Sequence, residues 1–142
     1  MPGEYAARKL DTDRRNHRWK DVYHMKHQRK KAGKRDDPME GAPQAKGIVV
    51  AKKIVTQKQP HSGLIKCVRV QLIKNGKMVT AHVPRTNAIS FIDEHDEVTI
   101  EGLGGSQSGA VGSMWGVKFK VVKVNGVSLS ELRKGKKEKP KR

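Results

Sequence analysis

The sequence has one cysteine, few aromatic residues and no apolar run long enough to cross a membrane as a helix. Cys67 cannot form an intramolecular disulfide, and one cysteine is too few for a cysteine-based zinc site. Because Cys67 lies in an apolar, strand-like run, we interpret it as a small buried residue. Aromatic residues make up 4% of the chain, so a core must come from Val, Ile and Leu. The apolar segment of a secretory signal is also missing, and we expect a reducing, cytoplasmic location.

Acidic residues are scarce beside basic ones. The chain has 14 Asp and Glu against 31 Lys and Arg, a formal net charge of +17, and its pI is about 10.3. Such an excess is typical of nucleic-acid-binding domains. Basic chains also bind anionic membranes, but we find no strong basic amphipathic helix and expect no membrane partner.

The charge divides the chain into three parts. Residues 1–46 carry 13 basic and 7 acidic side chains and few apolar ones, so we interpret them as a basic arm and linker. Residues 47–132 form the globular part, and residues 133–142 are a tail with seven basic residues and one acidic. Helix is predicted at Tyr5–Leu10 and Arg14–Lys31, without a broad apolar face. We expect a partner to order the arm; a permanently disordered arm is the alternative.

The globular part alternates apolar strand-like segments with turn residues. Asn75-Gly76 predicts a hairpin with a type I′ turn, in which both residues have positive φ, and a second Asn-Gly pair, Asn125-Gly126, ends the last strand. The pattern predicts an all-β fold: a five-stranded OB-like barrel with an extended, partly helical basic arm and a basic tail. An SH3-like barrel stays open, because strand number does not define topology. The predicted strands are Ile48–Val55, Leu64–Ile73, Lys77–Val83, Val98–Leu103 and Val117–Val124, with a helical turn at Ile89–Glu94.

Motifs for catalysis or metal binding are weak. The glycine-rich run Gly102–Gly112 lacks the spacing of a phosphate loop, and a strand rather than a helix follows it. His24 and His27 are three residues apart, but no third metal ligand has convincing spacing. We interpret the acidic cluster Asp93–Glu97 as a solvated cap rather than a catalytic pair. We therefore expect a binding protein, not an enzyme, and no metal site.

Two loops are better candidates for binding. In an OB barrel the loops between strands one and two and between strands four and five flank the nucleic-acid face. Here they are Thr56–Gly63 and Gly104–Gly116. In the first, Pro60 restricts the backbone, and His61 and Ser62 offer donors and acceptors for sugar hydroxyls and base edges. Lys58 and Lys66 supply charge for phosphates, although a plain surface turn is the alternative.

Further RNA-binding candidates are the basic side chains of all three parts, together with one tryptophan that offers a stacking surface. They are Arg8, Lys9, Arg14, Arg15, Arg18, Trp19, Lys20, Arg29, Lys30, Lys46, Arg69, Lys118, Lys120, Lys134, Lys136 and Lys137.

The first loop and the strand that follows it also contain a recognisable sequence motif. Residues 58–66 read K-Q-P-H-S-G-L-I-K, and residues 68–72 read V-R-V-Q-L. They resemble the signature K-x-P-N-S-A-[IL]-R-K and the following [AV]-R-V-x-L strand of ribosomal protein S twelve, the universal small-subunit protein of the decoding centre. Residues 5–10, 71–76, 91–98 and 134–140 resemble the archaeal and eukaryotic branch of that family.

The resemblance implies an OB-like barrel whose arm threads through small-subunit rRNA, with neighbouring ribosomal proteins and the mRNA–tRNA decoding helix as further partners. It implies that the loop Pro60–Ser62 faces the codon–anticodon helix, with Ser62 near the second codon position. Pro60 is a candidate for hydroxylation, as in eukaryotic members. No enzymatic activity and no cofactor are implied, and any structural Mg²⁺ would come with the rRNA. The implied decoding residues are Lys58, Gln59, Pro60, His61, Ser62 and Lys66, and, in a second loop, Pro84, Arg85, Thr86 and Asn87.

The departures from the family pattern fall in the loops. His61 stands where the family has Asn, and Ile65 where it has Arg. Residues 85–87 replace a glycine-flanked acidic turn, residues 113–115 replace an Asp-[IL]-Pro run, and residues 118–119 replace Arg-Tyr. We expect attachment to the ribosome to persist and decoding accuracy to differ. A divergent paralogue or an OB-type RNA-binding regulator that acts off the ribosome is the alternative.

Overall fold

The computed structural model describes residues 3, 6–32, 37–106 and 109–140, without the side chain of Lys30. The chain divides into two compact units, Met1–Glu40 and Gly41–Arg142. Tyr5 of the first predicted helix and the candidate Lys30 side chain therefore lie outside what is described. The boundaries predicted at residues 46 and 132 stay predictions.

The first unit contains two helices, α1 (Ala7–Lys20) and α2 (Val22–Lys31). A single helix over Arg14–Lys31 is wrong, because the backbone leaves helical geometry at Asp21, where ψ is 121°. The Asp21 carboxylate accepts the N–H groups of Tyr23 (3.0 Å) and His24 (3.4 Å), which caps the start of α2. Helix α1 buries no residue.

In its described residues, the second unit contains six strands, a 3₁₀ turn between the third and fourth strands, and a short helix. The strands are β1 (Gln44–Thr56), β2 (Leu64–Leu72), β3 (Met78–His82), β4 (Glu97–Gly102), β5 (Phe119–Val124) and β6 (Val127–Ser128). The 3₁₀ turn Ala88–Phe91 lies between β3 and β4, near the predicted helical turn. The short strand β6 and the helix α3 (Leu129–Arg133) are additions to the predicted elements.

Five of the strands close into a ring in the order β3-β2-β1-β4-β5. The closing pair is parallel, with Ala81 opposite Phe119 and His82 opposite Lys120, whereas the other neighbouring pairs are antiparallel. This connectivity confirms the predicted all-β, OB-like fold class. The parallel closing pair also separates it from an SH3-like barrel.

Strand β1 starts four residues before its predicted start because it pairs with two neighbours. Its first part, Gln44–Ile48, pairs with β4, and its longer part, Gly47–Thr56, pairs with β2. A register shift between Val49 and Ala51 marks a β-bulge, which bends the strand so that it serves both sides of the ring.

The core is aliphatic, as the low aromatic content predicts. Cys67 is fully buried, and this burial raises the pKa of its thiol. Leu129 and Leu132 of α3 pack into the same core. The largest fully buried side chains are Leu72, Ile92, Ile100, Val49, Val68, Val70, Val83, Val98, Val117, Val121 and Val124. Within the described residues, no helix has the length and apolarity to span a bilayer.

The two Asn-Gly pairs form different turns. The hairpin at Asn75-Gly76 exists, but of these two described residues only Gly76 has positive φ (66°), so the predicted type I′ turn is wrong there. Between β5 and β6, Asn125 (φ 47°) and Gly126 (φ 82°) are both positive, as a type I′ turn requires.

Candidate nucleic-acid interface

The β1–β2 loop, residues 57–63, is tied at its base. The N–H of Gln57 donates to the carbonyl of Gly63, and the Gly63 N–H donates to the side-chain oxygen of Gln57, both at 3.1 Å. Inside the loop, the His61 N–H donates to the carbonyl of Lys58 (3.0 Å), around a cis peptide bond between Gln59 and Pro60. The side chains of residues 58–62 are consequently presented to solvent at the tip.

This loop is bonded directly to the β4–β5 loop, residues 103–118. The N–H of Lys58 donates to the carbonyl of Ser113 (2.9 Å), and the Gln57 amide donates to the Ser113 hydroxyl (3.1 Å). Gln57 also forms an isolated β-bridge with Met114. The Lys58 ammonium lies 5.1 Å from the centre of the Trp115 ring, within cation–π range. The two loops that were expected to flank a binding face thus form one continuous surface.

The second set of predicted decoding residues, Pro84–Asn87, follows β3. The Val83 N–H donates to the carbonyl of Lys66 (3.0 Å), which holds the start of this turn against β2. Arg85 (φ 76°) and Asn87 (φ 61°) both have left-handed backbone geometry. Pro84 and Arg85 line a cavity of about 250 Å³ together with residues of β4 and β5, including Lys120.

Pro84–Asn87 follows the end of β3 and Lys118 comes directly before β5, so both lie next to the closing contact between these strands. A larger groove of about 560 Å³ is lined by Lys53–Thr56 of β1, Thr80 of β3 and Trp115–Val117. Within the described residues, no hydrogen bond joins the β1–β2 loop to Pro84–Asn87.

Several of the predicted RNA-binding cations already have carboxylate partners. The pairs are Lys9–Asp13 (3.1 Å), Arg15–Asp11 (2.7 Å), Lys46–Glu97 (2.9 Å), Lys120–Glu101 (2.8 Å) and Lys137–Glu131 (3.0 Å). The hydrogen bond from Lys120 is the chief reason why the pKa of Glu101 is lowered. A paired cation has part of its charge neutralised before it meets a phosphate.

The other predicted RNA-binding side chains that the structure describes are exposed, and the tryptophan makes an aromatic contact. Trp19 meets the His24 ring edge-on, with the ring centres 5.3 Å apart. The Arg29 side chain is exposed and has contacts of its own. The remaining exposed candidates are Arg8, Arg14, Arg18, Lys20, Arg69, Lys118, Lys134 and Lys136.

The acidic cluster is not the solvated cap that was predicted, because Asp96 is buried. Its carboxylate accepts the Asp93 N–H (2.7 Å), the Asn125 amide (3.0 Å) and the ammonium of Lys139. Burial alone would raise the pKa of Asp96, but these hydrogen bonds outweigh burial and lower it. Among the described residues, no group of three or more His, Cys, Asp or Glu side chains could hold a metal ion.

Sequence reasoning missed Gln57, Ser113 and Lys139. The sequence marks Gln57 as an ordinary loop residue, although it joins the end of β1 to Gly63 before β2 and to Ser113 of the β4–β5 loop. Lys139 was one basic residue of a basic tail, and nothing in its local sequence marks Asp96, 43 residues away, as its partner. Only the expectation that the two loops flank one face pointed towards Gln57 and Ser113.

A ring of five strands, with joined β1–β2 and β4–β5 loops that carry basic side chains, is typical of an OB-like RNA-binding fold. Residues 32–142 match the family model described as Ribosomal protein S12/S23. The chain belongs to this family, which confirms the resemblance seen in the sequence. It is therefore an RNA-binding protein of the small ribosomal subunit, structural rather than enzymatic, which associates with small-subunit rRNA and ribosomal proteins. The archaeal or eukaryotic type stays a prediction.

Proposed function

We propose that the chain lies at the decoding centre, where its β1–β2 loop contributes to codon–anticodon monitoring and to translational accuracy. The observation that supports this most is the double attachment of that loop. Gln57 ties its two ends together and, with Lys58, ties it to Ser113 of the β4–β5 loop.

This attachment matters because a loop can distinguish correct from incorrect codon–anticodon pairs only if its tip is held in a fixed position. A loop that is ordered before binding loses little conformational entropy when it meets RNA, and it holds its tip in one position. His61 and Ser62 are exposed at that tip. Their short polar groups suit 2′-hydroxyl groups and base edges, which is how proteins recognise RNA most directly.

Charge would hold the protein in place. The exposed cations of the arm, barrel and tail would contact rRNA phosphates, which position a protein without reading sequence. In this proposal the mRNA–tRNA decoding helix is the partner of the tip, the compartment is the cytoplasm, and no cofactor is needed beyond Mg²⁺ that accompanies the rRNA. Pro60, exposed at the tip, is the candidate site of hydroxylation.

The test is quantitative mass spectrometry of small subunits purified from cells that produce this chain. We expect close to one copy per subunit, and sedimentation of the chain with the small-subunit peak. Because phosphate contacts release counterions, the association should weaken steeply with salt, with a log–log slope of about 0.7–0.9 per contacted phosphate. A chain that sediments away from the subunit, or that binds rRNA independently of salt, would contradict the proposal.

A further inference from the structure

Trp115 is an exposed aromatic side chain at the edge of the groove that β1, β3 and the β4–β5 loop line. Its side chain is 57% exposed, and it lines the groove with Lys53–Thr56, Thr80 and Val117. The groove volume, about 560 Å³, falls within the range of about 300–1,000 Å³ that is typical of small-ligand pockets. The indole has a large flat apolar surface, which is costly to leave in water and useful for binding.

Contacts of the two preceding residues restrain the backbone that carries the indole. The two residues before it are bonded to the β1–β2 loop, Ser113 through hydrogen bonds to Gln57 and Lys58, and Met114 through its bridge to Gln57. The Lys58 ammonium contacts the ring itself. A ligand would therefore meet a ring that is already in place.

The charge around the groove selects the class of ligand. Lys53 lines the groove, Lys58 stands over the ring, and none of the lining residues is acidic. A flat apolar surface in a groove with two cations complements a flat ring that carries anionic groups. A nucleotide has this combination, whereas an apolar peptide would leave both cations without a counterpart.

We propose that Trp115 stacks an unpaired base of an RNA strand, with Lys53 and Lys58 on the flanking phosphates. The proposal rests on the proposed function only in identifying that RNA as small-subunit rRNA. Every base has a π face, so stacking of this kind tolerates many sequences.

A fluorescence titration of the full-length chain tests the contact directly. The chain has two tryptophans, so a Trp19→Phe variant reports on Trp115 alone. The probes are a single-stranded oligoadenylate of about 12 nucleotides, within the usual footprint of such folds, and an abasic strand of equal length. We expect the base-bearing strand to quench the emission and the abasic strand to leave it nearly unchanged.

An affinity comparison tests the energetic role. In a Trp19→Ala background, where the arm cannot stack a base, Trp115→Ala should weaken binding of oligoadenylate about tenfold, a typical loss for one stacked base. Binding of the abasic strand should not change, and the salt slope should be the same because no phosphate contact is lost. Trp115→Phe should keep most of the affinity. Ile73→Ala is the matched control, since Ile73 is 56% exposed but lies in the β2–β3 hairpin.

Two results of the affinity comparison would overturn the inference. One is an equal loss for base-bearing and abasic strands, which would mean that the indole supports the loop or a partner other than a base. The other is no loss at all. If the chain occurs at one copy per small subunit but Trp115 is not quenched, the stacking fails and the decoding proposal stands. If quenching occurs in a chain that is absent from subunits, the decoding proposal fails and the stacking stands.

Discussion

The ammonium of Lys139 lies 2.5 Å from Oδ2 of Asp96, although the two residues are far apart in the chain. The same ammonium is 2.7 Å from Oδ2 of Asp93, so the tail is held against the turn that precedes β4. Asp96 is only 6% exposed. Removal of Lys139 would leave a buried carboxylate without its cation, which is more costly than the loss of an exposed ion pair.

Lys139→Met should lower the free energy of unfolding by about 1–3 kcal/mol, because the Asp96 carboxylate loses the ammonium but keeps its hydrogen bonds from the Asp93 N–H and the Asn125 amide. Urea unfolding of the purified full-length chain measures it. Lys137→Met is the matched control, because Lys137 pairs with Glu131 on an exposed surface and such pairs contribute about 0–1 kcal/mol. Equal losses in the two variants would show that the tail is not held by this contact.

The same contact predicts how stability depends on pH. Hydrogen bonds lower the pKa of Asp96 below its ordinary 3.8, so its stabilisation is present above about that pH and is lost as pH falls through the lower folded value. The pKa of Asp93 is lowered in the same sense, chiefly by Lys139 and then by Lys52. Although burial opposes it, bonding to the two carboxylates raises the pKa of Lys139 above its ordinary 10.5. Its stabilisation is therefore present below pH 10.5 and is lost as pH rises through the raised value.

Unfolding midpoints across acid and alkaline pH check this prediction. Lys139→Met should remove the part of the loss of stability at alkaline pH that is due to deprotonation of Lys139. It should also reduce the loss of stability at acid pH. A variant whose profile runs parallel to that of the wild type at every pH would contradict the assignment of these shifts to the tail contact.

Gly63→Ala should loosen the β1–β2 loop. A Cβ atom at Gly63 would come within 2.4 Å of the Gln57 side-chain oxygen, so the Gln57 amide must move away from the Gly63 N–H. Since a flexible side chain can move, we expect a modest loss of about 1 kcal/mol, roughly one hydrogen bond. Gly102→Ala is the matched control, because its Cβ would meet nothing within 4 Å, and it should be neutral or stabilising.

Urea unfolding and amide hydrogen exchange at residues 57–63 measure the two changes. In a Gln57→Ala background, Gly63→Ala should cost little more, because the group with which it collides is gone. A full additional loss in that background would show that the collision is with something other than Gln57.

The barrel was accessible from sequence because its signals are local. Alternating apolar residues and Asn-Gly turns predict strands such as Leu64–Leu72 to within a residue or two. The helix α3 was missed because Leu129 and Leu132 alone make too short a pattern. The break at Asp21 was missed because helix propensity continues on both sides of it, although Asp is a strong N-cap residue.

The contacts that shape the site were not accessible in the same way. The parallel pair between Ala81 and Phe119 joins strands that are distant in the chain, and strand patterns do not encode partners. The same holds for the bond from Gln57 to Ser113. The sequence around a glutamine in a polar loop does not indicate which residue it bonds, so the hydrogen bond between the two loops is visible only in the fold.

The turn after β3 predicts opposite effects on stability and on function. Arg85 has φ 76°, a region that costs a residue with a Cβ roughly 1–2 kcal/mol, so Arg85→Gly should raise the free energy of unfolding by about 1 kcal/mol. Thr86, in the same turn, is not among the described residues with positive φ, and Thr86→Gly should lower stability through chain entropy. If Arg85 acts in decoding, the stabilised variant should still misread more codons. A stable Arg85→Gly variant of unchanged accuracy would remove Arg85 from the decoding set.

Ser62→Ala should change miscoding more than assembly, because Ser62 lies at the exposed tip of a loop whose attachment it does not provide. Deletion of residues 1–30 should do the opposite, since it removes cations that would anchor the chain to rRNA phosphates and leaves the β1–β2 loop intact. Stop-codon readthrough in a reporter measures accuracy, and the amount of chain in purified small subunits measures assembly. Ser113→Ala distinguishes the role of the tip side chains from that of the bond between the two loops. It removes the hydroxyl partner of Gln57, so it should loosen the β1–β2 loop and affect accuracy without removing a tip side chain. If Ser62→Ala blocked assembly while the arm deletion altered only accuracy, the roles assigned to the tip and the arm would be reversed.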